Sequence, residues 1–130
     1  MLAYLLCVVC LLCLQDTGAQ EDVGLIKVEF TVVNDLTENF FKDSIIVQVR
    51  EGSTLLQVME KAAELNPKEF SFQTEDYPFG VYITAIGKLA GSTNEKTYWQ
   101  FFSGNNPLIA GVSDYKPSNN EHIIAVFSKF

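Results

Sequence analysis

Cysteine is the first scarcity in this chain. Its 130 residues hold three, Cys7, Cys10 and Cys13, so everything beyond residue 13 is without a thiol or a disulfide. Histidine occurs once, at His122, and tryptophan once, at Trp99. A lone histidine with no His-x-x-His or Glu-x-x-His spacing does not assemble a zinc site. No Gly-x-Ser-x-Gly, P-loop or Gly-x-Gly-x-x-Gly sequence is present either. Without a nucleophile, a base or a metal set, the sequence points away from an enzyme. His122 opens an apolar strand next to Glu121, so an ion pair or a plain surface position accounts for it. Positive charge is also short: nine Lys+Arg against sixteen Asp+Glu give a net charge of −7. That balance argues against a nucleic-acid binder, which needs a basic stripe to neutralise phosphates. An aromatic content of 12%, by contrast, is high enough for a packed core.

Residues 2–14 form an apolar run, Leu-Ala-Tyr-Leu-Leu-Cys-Val-Val-Cys-Leu-Leu-Cys-Leu. A helix needs about 20 apolar residues to cross a bilayer, so this run does not predict a membrane span. It has the length of a secretory signal core, and Thr17-Gly18-Ala19 offers small residues for cleavage after Ala19. We read 1–19 as a signal peptide and 20–130 as the secreted domain. All three cysteines fall in the leader. Their spacing resembles a metal motif, but an apolar leader forms no folded site. The secreted part then stands on its core alone, which about 110 residues can achieve by burying roughly two thirds of their unfolded surface. No Asn-x-Ser/Thr sequon occurs, so N-glycosylation is not expected.

Period-two alternation marks residues 25–33 as a half-buried strand, with Ile26, Val28, Phe30 and Val32 on one face. Residues 34–39 are turn-rich, and a second strand over 44–50 completes an antiparallel hairpin. The period then changes. Leu55, Val58, Met59 and Ala62 recur at three and four, predicting an amphipathic helix of about 12 residues. Ser53 or Thr54 caps it, Thr54 with Gln57 having capping-box spacing. Asn66-Pro67 stops it. Short strands follow at 70–73 and 80–86, and residues 97–103 read as the hairpin partner of 80–86. After the turn at 104–107, residues 108–112 read as a short extended piece, and 122–127 as the closing strand. Glu75-Asp76 reads as a solvated turn. A hairpin, one helix and further strands predict an α+β domain. Its most economical form is β-grasp-like, an antiparallel or mixed sheet with one packed helix.

Aromatics cluster at Tyr77, Phe79 and Tyr82, then at Tyr98, Trp99, Phe101 and Phe102. In a strand, Tyr98, Gln100 and Phe102 share one face while Trp99, Phe101 and Ser103 share the other. Either one set packs under the helix and a loop covers the second, or one set forms an apolar wall for a ligand or partner. Composition leaves both open.

Thr97-Tyr98-Trp99-Gln100-Phe101, then Pro107-Leu108, Gly111-Val112, Asp114-Tyr115, Pro117 and Glu121-His122-Ile123 resemble the C-terminal β-domain of the cobalamin carriers. That family comprises intrinsic factor, transcobalamin and haptocorrin, and the likeness is greatest to intrinsic factor. The resemblance implies a secreted module that carries cobalamin as a ligand, not as a catalytic cofactor. It further implies contacts from Trp99, Gln100, Phe101, Phe102, Ser103, Gly104 and, past the turn, Leu108. A second contact stretch matches Phe79, Gly80, Val81, Tyr82 and Ile83, with Phe79 standing where intrinsic factor has a tryptophan. In the family a larger N-terminal helical domain covers the other side of the vitamin, so a helical-domain protein or a second copy is the expected partner. A secreted interaction protein on the same scaffold, without cobalamin, is the alternative.

Overall fold

The alternation at residue 25 becomes a ten-residue strand in the computed structural model, which describes residues 24–130. The expected signal peptide, residues 1–19, and with it the three cysteines, lies outside the described residues. Strand β1 (Leu25–Asn34) buries Ile26, Val28, Phe30 and Val32 on one face. It pairs antiparallel along its whole length with β2 (Phe41–Arg50), from Leu25↔Arg50 to Asn34↔Phe41. The β2 strand begins earlier than its period predicts. Asn34 closes the intervening loop: its side-chain amide donates to Thr37 Oγ1 and Asn39 O, and its Oδ1 accepts from the N–H groups of Leu36 and Thr37.

Helix α1 (Leu55–Leu65) has the expected capping box, with Gln57 N–H donating to Thr54 Oγ1 and Thr54 N–H donating to Gln57 Oε1. Its two remaining first-turn donors are also satisfied. Leu55 N–H bonds Tyr115 O at 2.7 Å, and Leu56 N–H bonds Val112 O at 2.9 Å. The start of the helix thereby ties down the 108–120 loop, because amides that lack a helical partner need acceptors from elsewhere. Leu55, Val58, Met59 and Ala62 are fully buried against the inner faces of β1 and β2, worth about 1.5–3 kcal/mol for each large side chain.

Asn66-Pro67 stops α1 as predicted, but Pro67 then starts a second, four-residue helix, α2 (Pro67–Phe70). Phe70 is therefore not strand. It is buried beside Phe30, with ring centroids 5.9 Å apart. The next strand, β3 (Phe72–Tyr77), extends through Glu75 and Asp76, which are exposed strand residues and not a turn. Then come β4 (Gly80–Ile86), β5 (Leu89–Ala90), β6 (Thr97–Ser103), β7 (Asn106–Pro107) and β8 (Glu121–Lys129). Residues 108–112 are irregular.

Two sheets result. The first, in the order β2-β1-β8-β6-β7, is antiparallel except where β8 runs parallel to β1, and α1 covers one face. This is the mixed β-grasp arrangement expected for an α+β chain. The second is β3-β4-β5. The hairpin of 80–86 with 97–103 does not form: β6 pairs with β8, Trp99 lying opposite Phe127 and Gln100 opposite Val126. Thr97–Ser103 gains a full-length antiparallel neighbour in β8 and β4 gains one in β3, so the two strands end in different sheets.

Candidate functional site

Because β4 and β6 belong to different sheets, each presents an edge to the other. The β4 edge is covered by β5 only at Ala85 and Ile86, and Gly91 N–H bonds Thr84 O just beyond. On β6, β7 covers only Phe102 and Ser103, with Leu108 N–H bonding Phe101 O. Between these closures lies a groove of about 350 Å³. Val81, Tyr82 and Ile83 line one side, Tyr98 to Phe101 the other, and Leu108, Ala110, Gly111 and Val112 the end.

Backbone direction alternates along a strand, so the groups facing the groove follow from the bonds at its ends. Thr84 O points to the β5 side, but the bulge at Thr84 breaks the alternation; counted from the Tyr77↔Gly80 hairpin pair, Tyr82 turns its N–H and C=O to Glu75 of β3, and those of Val81 and Ile83 point to the groove side. Phe101 O points to the β7 side, and so do the N–H and C=O of Trp99. Outside the strand ladders, no backbone partner engages Val81, Ile83 or Trp99 on these sides. The groove thus offers main-chain donors and acceptors on both walls, set among apolar side chains. Gly91 fixes the spacing at one end: a Cβ there would come within 2.9 Å of Thr97 O and 3.2 Å of Tyr98 Cα.

The expected contact residues separate into two groups. Val81, Tyr82, Ile83, Trp99, Gln100, Phe101 and Leu108 line the groove. Phe79, Gly80, Phe102, Ser103 and Gly104 do not. Phe79 is 78% exposed at the β3–β4 hairpin tip, where it stacks on Tyr77 at 5.2 Å with the rings 4° from parallel. Tyr77 meets Tyr82 edge-on at 6.2 Å. Gly80, at φ +132, lies 3.3 Å by its virtual Cβ from Ser113 Oγ. Phe102 stands opposite Ile124 and Pro107, and Gly104 makes the β6–β7 turn at φ +57.

Trp99 requires a correction. As a wall, the set of Trp99, Phe101 and Ser103 presents no open indole face, since Trp99 is only 4% exposed. Its ring packs on Phe127 at 5.1 Å and Nε1–H donates to Leu89 O at 3.0 Å. It backs the groove from the core side and presents main chain to it, not an aromatic face. Ala110, Gly111 and Val112 were not anticipated as lining, and Tyr98 was named only within one of the two possible strand faces. A groove at a strand edge collects neighbours from both faces, which a one-face reading of β6 could not show. Gly111 and Val112 were nonetheless within the run that carried the family likeness.

The groove's closed end is held by Glu121. Strand alternation sends Glu121 and His122 to opposite faces, so the two do not pair. His122 Nε2 instead lies 2.7 Å from Thr31 Oγ1 and 3.5 Å from Glu29 Oε2, at the surface. Glu121 accepts from Tyr115 OH, from Ser103 Oγ at 2.8 Å and from Ser118 N–H at 2.9 Å. Partial burial pushes the Glu121 carboxyl up, but these donors outweigh it and hold it below the ordinary carboxylate range. The same bond to Glu121, then burial, raises the Tyr115 phenol. A depressed folded-state value stabilises the fold above the ordinary carboxylate range and is lost as pH falls through it. Glu121→Gln is therefore expected to lose about 1–2 kcal/mol at pH 7 and much less near pH 3, read as urea midpoints at both pH values. An equal loss at both would contradict this role.

Among the described residues there is no group of three or more His, Cys, Asp or Glu positioned to hold a metal, and no helix is long and apolar enough to cross a membrane.

A protein family described as a domain of unknown function, DUF4430, matches residues 52–129. Human cobalamin binding intrinsic factor is 44% identical over 107 residues, covering 81% of this chain and 25% of that protein. The Canis lupus familiaris protein of the same name is 42% identical over 118 residues, covering 89% and 28%. Human transcobalamin-1 is 38% identical over 95 residues, covering 73% and 21%. The chain thus spans about a quarter of the length of the curated relatives it matches. Among solved structures, haptocorrin in complex with Cbi superimposes at a TM-score of 0.74 with 36% identity, over 82% of this chain and 25% of that one. A Ruminococcus gnavus protein superimposes at 0.64 with 11% identity, over 81% and 98%, and shares the fold alone.

Proposed function

Since this chain belongs to the family of the cobalamin carriers, matching their C-terminal part, we propose that it is a secreted cobalamin-binding module whose site is the β4–β6 groove. The observation that carries the proposal is the pair of main-chain edges, at Val81 and Ile83 on β4 and at Trp99 on β6, facing each other across about 350 Å³ of mainly apolar lining. A corrin has a broad apolar face and a rim of amides. The apolar side chains of Val81, Ile83, Phe101 and Leu108 suit the face, and the free N–H and C=O groups with Gln100 suit the rim. Cobalamin is the carried ligand here, and nothing in the site is arranged to transform it.

One wall is covered, the other open. Tight sites bury about 70–90% of a ligand's surface, so the chain alone binds weakly and a helical-domain partner or a second copy completes the cage. Calorimetric titration with cobalamin tests the site. We expect a dissociation constant on the order of 0.1–1 mM and at least a tenfold loss in Leu108→Asp, whose carboxylate would be desolvated in the groove. No heat at millimolar cobalamin would remove the direct-binding reading.

The exposed trio of Tyr77, Phe79 and Tyr82 favours a second reading, a secreted interaction protein that docks another protein by the β3–β4 hairpin tip. Sedimentation with and without cobalamin separates the two: the vitamin shifts mass or shape under the first and changes nothing under the second.

A further inference from the structure

The β2 strand ends the five-stranded sheet, paired over ten residues with β1 on one side and, among the described residues, with no strand on the other. Glu51 N–H donates to Gly24 O at 2.8 Å in the same register, so odd-numbered residues of β2 face β1. The N–H and C=O groups of Lys42, Ser44, Ile46 and Gln48 therefore point outward. Arg50 O is the exception, since it accepts from Ser53 N–H at 3.0 Å. The side chains of Lys42, Ser44, Ile46, Gln48 and Arg50 all lie exposed on the sheet face opposite α1, Ile46 at 64%.

Long straight edges are ordinarily blunted by a bulge, a proline or charge. This one has no register shift and no proline. Its protection is Lys42 and Arg50, four residues either side of Ile46, and neither makes an ion pair among the described residues. Lys27 adds a third cation on the same face beside Gln48, while Glu29 is taken by His122. The outer face of the edge is thus cationic, Asp43 lying on the opposite face of β2, on a chain of net charge −7.

We propose that the β2 edge pairs with an extended segment of a partner protein carrying two acidic residues eight positions apart and a β-branched apolar residue midway. In the antiparallel register, the apolar residue meets Ile46 and the carboxylates meet Lys42 and Arg50. Main-chain bonds to Ser44, Ile46 and Gln48 supply affinity, and the charges supply selection. A second copy fits badly, because a twofold axis at Ile46 sets Lys42 against Arg50 at both ends. The edge is separate from the β4–β6 groove, so it stands or falls independently of cobalamin binding.

The peptide Glu-Thr-Thr-Thr-Val-Thr-Thr-Thr-Glu and its counterpart with Lys at both ends are the probes, with calorimetry and amide exchange as readouts. We expect the Glu peptide to bind at least tenfold more tightly and to slow exchange at Ser44, Ile46 and Gln48. Ile46→Pro deletes an outward N–H without touching the β1 ladder and is expected to abolish binding. The double variant Lys42→Glu/Arg50→Glu, which leaves backbone geometry alone, is expected to invert the preference toward the Lys peptide. Equal affinities, or protection elsewhere, would overturn the proposal. So would a dimer in sedimentation with these amides already protected.

Discussion

Trp99→Ala is expected to destabilise the domain by about 3–5 kcal/mol, the range for truncating a buried large aromatic. Three contributions act together. The indole fills space against Phe127, and its removal leaves a cavity at the core side of β6. Leu89 O loses the indole donor at 3.0 Å. The β5 strand, which this bond connects to β6, loses its link across the groove's end. Domains of this size have total stabilities of roughly 5–15 kcal/mol, so the variant will sit near its unfolding midpoint under mild conditions. Urea unfolding followed by circular dichroism checks this, tryptophan emission being unavailable in the variant. An unchanged midpoint would show that the indole is not core. The substitution is consequently a poor probe of ligand contact, since loss of binding would follow from loss of fold. Groove-lining positions that leave the core intact, such as Leu108, carry the functional test.

The second large effect concerns the uncovered side of the proposed site. Adding a separately produced helical domain from human intrinsic factor to the chain is expected to tighten cobalamin binding by about three to four decades. A second wall contributing roughly 5.5 kcal/mol corresponds to four decades in dissociation constant. The gain comes from removing the remaining corrin surface from water and from immobilising the vitamin between two preformed surfaces. Calorimetric titration of cobalamin into the equimolar mixture, against each component alone, measures it. Where a second copy completes the cage instead, affinity will rise with protein concentration and sedimentation will show a ligand-dependent dimer. Nanomolar binding by the isolated monomer would refute the one-sided site.

The two experiments act on different layers of one strand. Trp99 holds β6 in place from beneath, through Phe127 and Leu89, while its own N–H and C=O remain at the groove. Glu121 does the same for the opposite end, fastening the 108–120 loop that the first turn of α1 also holds. The proposed site is thus a gap kept open by its supports. Gly91, which bonds Thr84 O and abuts Thr97, brings β4 and β6 into close approach at this end of the gap.

Much of the fold was legible in the residues. Alternation over Ile26, Val28, Phe30 and Val32, the three-and-four spacing of Leu55, Val58, Met59 and Ala62, the Thr54–Gln57 cap and the Pro67 stop each report local backbone geometry, and local geometry repeats with a fixed period. The run from Thr97 to Ile123 likewise pointed to the family. The partner of β6, the burial of Trp99 and the groove itself were settled only in three dimensions. Periodicity states which side chains share a face, but neither face carries a label saying that something covers it. That is decided by distant pairings, above all the parallel contact of β1 with β8, which brings Val28 beside Glu121 and claims β6 for the main sheet. Once β8 had taken β6, β4 was left in a second sheet, and the space between their edges became available to a ligand.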